Sequence, residues 1–230
     1  MEPTYGAHAP VSPAGGRTSG PSDPWGQPAP TRVAPTGLAT WSVALASAWG
    51  LVQALMFASS SGAAQEFSRA VDAGESPGDV WTTYDSFATL LLPVQLAAFV
   101  VTCLWLHRSR QIAVAARPQE RHVRGVVWIW LGWLVPVVSL WFPYQVVRDV
   151  RQGTTGLRRM PGLGLWWVSW LVMLWASNRA AFITSGFSRS DPGLLPVLDG
   201  VATAAVAVAL VLWIRVVREV TAAQRSLPAG

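Results

Sequence analysis

Residues 124–151, RGVVWIWLGWLVPVVSLWFPYQVVRDVR, hold an apolar run long enough to cross a bilayer, yet prolines interrupt it at positions 136 and 143 and arginines stand at both ends. A spanning helix needs ~20 apolar residues and keeps its basic flank on the cytoplasmic side alone. The segment therefore ties the chain to a bilayer while resisting the simplest way of sitting in one.

Four other runs of about twenty apolar residues point the same way: Leu38 to Ala58, Phe87 to Leu106, Leu163 to Ile183 and Val197 to Val217. Half the residues are hydrophobic, 13% are charged and fourteen are tryptophan, a balance that soluble domains rarely show. No early apolar core follows Glu2 and Pro3, so the first run is expected to direct insertion itself. Residues 1–36 carry eight prolines and five glycines and are expected to form a disordered cytoplasmic tail, ahead of a helical membrane domain over 37–225 and a short tail over 226–230.

Charge counting sets the topology, because every basic residue apart from the histidines is an arginine. Between Ser59 and Ser86, Arg69 stands against Glu66, Asp72, Glu75, Asp79 and Asp85, which places that connection outside. The next one carries Arg108, Arg110, Arg117, Arg121 and Arg124 against Glu120, which places it inside. If 125–147 then crossed, Arg148, Arg151, Arg158 and Arg159 would face outward together with the C-terminal arginines. If it enters and leaves on the cytoplasmic side, all these clusters are inside, with both termini. Pro136 has no N–H and clashes with the carbonyl four residues back, and neither resulting half is long enough to span. The expected fold is all-α, with four transmembrane helices plus a re-entrant or interfacial segment; the alternative is five transmembrane helices, the fifth kinked at proline.

The string from Gly132 to Pro136, and the run Trp141-Phe142-Pro143-Tyr144-Gln145-Val146-Val147-Arg148-Asp149, resemble the hallmark of a mostly actinobacterial membrane family, domain of unknown function 4328. The Trp-Leu-His-Arg-Ser-Arg end of the second run, the pair Trp166-Trp167 and the closing stretch from Val217 to Gln224 are similar to family features. The resemblance spans roughly residues 38–225 and departs from the family pattern at Gln111 and Ser139, where asparagine is usual. It implies the membrane architecture and a bacterial cell membrane, and it carries no activity.

The candidate functional segment comprises Trp133, Pro136, Trp141, Pro143, Tyr144 and Arg148. Two charged residues inside the spans form a candidate intramembrane pair: Arg179, about four residues from the outer end of its run, and Asp199, near the outer start of the last. A charge at mid-bilayer costs ~2.5–3.5 kcal/mol, which favours pairing. Gln53, Gln95 and Asn178 are expected to bond between helices, and the small residues Ser42, Ala46, Gly50 and Ala54, with Ala205 and Ala209, to let helices approach closely. Trp41, Trp105, Trp166, Trp167 and Trp213 fall near the cytoplasmic ends of their runs, where an interfacial belt or packing is expected and an aromatic ligand cage is the sharper alternative.

His8, His107 and His122 are scattered, Cys103 is the single cysteine, and no metalloprotease, phosphate-loop or nucleophile-elbow motif occurs. The chain is expected to be non-catalytic, without metal, cofactor or nucleic acid. Its nine arginines in the loops around residues 125–147 suit anionic lipid headgroups. The reading is a membrane binding or interaction module that contacts anionic lipid, a protein partner or a second copy of itself at the cytoplasmic face. The alternative is a small transporter or channel component gated by the broken segment.

Overall fold

The computed structural model describes residues 33–117, 125, 127–135, 137–157, 161–186 and 191–227. The Pro/Gly-rich tail expected over 1–36 falls outside these except for its last four residues, and Pro136 lies outside them too. All regular elements among the described residues are helical: α1 (Thr36–Asp72), α2 (Thr83–Ala116), α3 (Trp128–Leu134), α4 (Phe142–Thr155), α5 (Leu163–Thr184) and α6 (Leu195–Arg225), with 3-10 turns at Pro77–Asp79, Val138–Leu140 and Pro192–Leu194. The segments containing α1, α2 and α6 are long and apolar enough to cross a membrane. They make the chain compatible with a membrane-embedded protein.

The long helices form a row in which α2 packs on α1, α1 on α6 and α6 on α5, so that α2 and α5 stand at its two ends. Small residues are where this row closes up. Ser42 bonds Thr102 of α2 at 3.0 Å and accepts the Trp213 indole N–H of α6 at 3.3 Å. A β-carbon at Gly50 would lie 3.4 Å from Val206, so α1 and α6 approach as closely as the small-residue ladder predicts.

Several helices overrun the expected spans. With 37 residues α1 is ~55 Å long, well beyond ~30 Å of hydrocarbon. Its extension buries Ala63, Ala64 and Phe67 against Tyr84 and Leu195, and Ala70 is buried one turn further on. Thr82 and Asp85 start α2 with a capping box: the Asp85 carboxylate accepts from the Thr82 N–H at 2.8 Å and hydroxyl at 2.7 Å.

The two ends of the bundle differ in charge. Glu66, Asp72, Glu75, Asp79 and Asp85 lie where α1 gives way to α2, and Gly78 in that turn sits against the Ser185 carbonyl at the end of α5. At the other end Arg108 and Arg110 of α2, Arg117 just after it, Arg148 and Arg151 of α4, and Arg215, Arg218 and Arg225 of α6 face only Asp149 and Glu219 among the described residues.

The broken segment belongs to the arginine-rich end. α3 stops at Leu134, and the next α-helix starts at Phe142. Pro143, read from sequence as ending an apolar half, instead occupies the first turn of α4, where its missing N–H leaves no hydrogen bond unmade. α4 then runs along the ends of α2 and α6. Its stripe of Val146, Val147 and Val150 packs against Leu106, Val216, Val217 and Val220. The helix ends at Gly156, whose φ of +74° suits glycine and whose missing side chain makes room for Arg117. The Arg117 guanidinium donates to the Gln152 and Gly153 carbonyls at 3.2 Å, setting a cation on the negative end of α4.

A tryptophan-lined cavity under the broken segment

Between α2 and α5 lies a cavity of about 400 Å³. Trp49 of α1, Phe99 and Thr102 of α2, Trp166 and Trp170 of α5, and Ala209 and Trp213 of α6 line it, and α3 and the following turn add Trp133 and Ser139. Leu92, Gln95 and Leu96 belong to the lining and are exposed, so it opens sideways along α2. Among the described residues no charged side chain lines it.

One connected aromatic cluster frames the space. Trp105 meets Trp213 edge to face at 5.6 Å, Trp213 stacks on Trp166 at 5.5 Å, and Trp166 touches Trp167 at 5.5 Å. Trp133 joins Trp167 at 6.5 Å and Trp170 at 5.8 Å, and Trp170 reaches Trp49 at 5.4 Å. Offset and T-shaped ring pairs each add ~0.5–1.5 kcal/mol beyond burial. Of the two roles expected for Trp105, Trp166, Trp167 and Trp213, belt or packing, the structure shows packing: all four are buried, and Trp41 alone of that group is exposed. Rings on helices that pack together find one another in the interior, which a count of positions along each run does not reveal.

Direct bonds hold the broken segment in place. The Trp167 indole donates to the Leu140 carbonyl at 3.0 Å, and the Cys103 thiol to the Ile129 carbonyl at 3.2 Å. Trp130 sits edge to face on Phe99 at 6.0 Å and Trp128 on Phe142 at 4.6 Å. A β-carbon at Gly132 would fall 3.2 Å from that of Phe142, so α3 and the start of α4 lie side by side.

Of the residues singled out from sequence, Trp133 enters the cavity wall and Pro143 starts α4. Trp141 is exposed, tilted against half-buried Tyr144 at 6.2 Å, and Arg148 bonds the neighbouring Asp149 carboxylate at 3.2 Å. The expected pairing of Arg179 with Asp199 is corrected. Arg179 is exposed and lies over the Phe182 ring at 6.0 Å, on a stripe with Trp175, while Ala176, Ala180 and Ile183 face the bundle. Asp199 is buried and accepts from Gln53 Nε2 at 3.5 Å and Tyr84 Oη at 3.4 Å, both at Oδ1.

Sequence reasoning missed a contact with no local signal. Arg151 donates to Glu219 through Nε at 3.1 Å and Nη2 at 2.5 Å, joining α4 to α6 across 68 positions. Among the described residues no group of three or more His, Cys, Asp or Glu side chains is placed to hold a metal ion.

A family model described as Domain of unknown function (DUF4328) matches residues 78–222. That interval contains the broken segment, α2 to α5 and most of α6, and begins later than residue 38, where the sequence resemblance starts. No curated protein and no solved structure matches the chain.

Proposed function

The chain belongs to the family of domain of unknown function 4328, and from that premise we propose that it is a non-catalytic membrane module that binds an anionic lipid, its acyl chain in the tryptophan-lined cavity. In this reading α1, α2, α5 and α6 cross the bilayer and residues 124–151 enter and leave on the cytoplasmic side, where both termini lie. α5 has 22 residues, or ~33 Å, enough to reach across ~30 Å of hydrocarbon. The acidic and arginine-rich ends of the bundle then face outside and cytoplasm as the positive-inside rule requires.

The observation that carries the reading is the cavity. Its volume falls within the ~300–1,000 Å³ usual for ligand sites, its lining is uncharged among the described residues, and it opens beside exposed Leu92 and Leu96. Hydrocarbon suits that lining. Its lining includes Trp213, two residues before Arg215 in α6, and Thr102, six residues before Arg108 in α2, and both arginines are exposed. A basic residue near an anionic lipid surface contributes about 1 kcal/mol of attraction.

Tryptophan fluorescence tests this in vesicles carrying lipids with brominated acyl chains. Brominated anionic lipid is expected to quench more strongly than brominated zwitterionic lipid at equal mole fraction, and Ala98→Phe, which fills the cavity from α2, to remove the difference. Equal quenching by both headgroups, unchanged in Ala98→Phe, would sink the reading. Solute flux across the same vesicles that responds to substitutions in residues 125–147 would favour the transport alternative.

A further inference from the structure

The three-helix junction around Asp199 is separate from the cavity and is built as a site. Asp199 is 1% exposed, one turn into α6, and Gln53, which reaches it from α1, is also 1% exposed. Tyr84, from the first turn of α2, is 3% exposed. Thr203, one turn further along α6, donates its hydroxyl to the Gln53 carbonyl at 3.4 Å and ties the backbone of α1 to the same spot. Both hydrogen bonds to the carboxyl group end on Oδ1; Oδ2 is enclosed and has no partner.

The charges around it do not balance. From α2 the group faces Tyr84, while Asp85, next in sequence, is turned to cap Thr82. From α1 it faces Gln53, which is neutral. Asp191, at the turn before α6, bonds the Gly193 N–H at 2.8 Å, and Arg179 lies over Phe182. Neither ion pair found among the described residues involves Asp199. An enclosed carboxylate with neutral neighbours is strongly disfavoured unless a positive charge accompanies it.

We propose that Asp199 Oδ2 binds one monovalent cation, either a proton or a sodium-sized metal ion, and that this bound charge holds α1, α2 and α6 together near the acidic end of the bundle. The proton needs only Oδ2. A metal ion would draw on the oxygen atoms already gathered there: the Asp199 carboxylate, the Tyr84 hydroxyl, and the Gln53 side chain turned to present its oxygen, since amide orientation is an assignment. Bound cation stabilises the folded chain by mass action, so stability rises with the concentration of whichever cation is taken.

The test is the thermal unfolding midpoint of the full chain in detergent, measured against pH without sodium and against sodium at fixed pH. Asp199→Asn is the neutral control. The expected result is a midpoint for the native chain that climbs by roughly 3 °C or more along one of the two titrations, the size of shift a threefold to tenfold gain in folding equilibrium gives in a chain this long. Asp199→Asn should respond to neither. A climb with acid identifies the proton, and a climb with sodium identifies the metal ion. A native chain that tracks both titrations as flatly as Asp199→Asn overturns the proposal. Should that variant fail to fold, infrared spectra of the native chain decide. A protonated-carboxyl band at neutral pH, or carboxylate bands that shift on adding sodium, supports the site; carboxylate bands insensitive to both acid and sodium overturn it.

Discussion

Glu219→Leu lowers the unfolding midpoint of the detergent-solubilised protein by about 10 °C. The Arg151 side chain is 6% exposed, and its Nε and Nη2 are both satisfied by Glu219 while Nη1 has no partner. Removing the carboxylate leaves an enclosed guanidinium without its anion, which costs about 3 kcal/mol, the lower end of the range for breaking a buried pair because Glu219 is itself 32% exposed. In a chain of this length each kcal/mol moves the midpoint by roughly 2–4 °C. Arg151→Met keeps most of the volume and removes the charge, so it is expected to do less harm, and adding it to Glu219→Leu is expected to recover much of the loss. A double-mutant cycle reads that coupling directly. Additive effects would show that the pair does not hold α4 to α6.

Trp105→Ala is expected to be comparably severe. The ring is fully buried, meets Trp213 at 5.6 Å and belongs to the core joining α2, α4 and α6. Cutting a buried tryptophan to alanine costs about 3–5 kcal/mol, most of it from the void left behind. Lipid tails are as apolar as the ring, so within a bilayer the loss is one of packing rather than of hydrophobic burial. Its indole nitrogen has no hydrogen-bond partner, so Trp105→Phe sacrifices only volume and is expected to fall well short of the alanine variant in the same thermal scan. Equal losses for the two would assign the indole N–H a role that the packing does not give it.

Element type was legible in the sequence because the signals were long. Runs of about twenty apolar residues carry α1, α2, α5 and α6, and the arginine clusters marked one end of the bundle before any contact was known. Element length was less legible. The extension of α1 beyond the expected span rests on Ala63, Ala64, Phe67 and Ala70, a narrow stripe at helical spacing that an average over apolar content passes over. Pro143 was visible as a break, but whether a proline ends one helix or begins the next depends on the chain beyond it.

The sites were legible as parts and not as constellations. Gln53 and Asp199 stood out as polar residues within apolar runs, yet the natural guess of a cationic partner failed, because helix rotation sends Arg179 outward and brings Tyr84 in from the first turn of α2. Arg151 and Glu219 lie among many surface-like charges, with nothing local to pair them. Trp133 was singled out with the broken segment, but the cavity it helps enclose needs rings from four other elements. Such closeness is set by tertiary packing, to which sequence spacing gives no access.

The central claim is that the chain from α2 to α5 stays on one side of the membrane. Leu157, 54% exposed just after α4, is the place to ask. In a Cys103→Ala background, Leu157→Cys is treated with a membrane-impermeant maleimide on intact cells and on inside-out vesicles. Labelling in inside-out vesicles and protection in intact cells is the predicted result. Labelling in intact cells would place residue 157 outside, make the broken segment a fifth crossing and contradict the account.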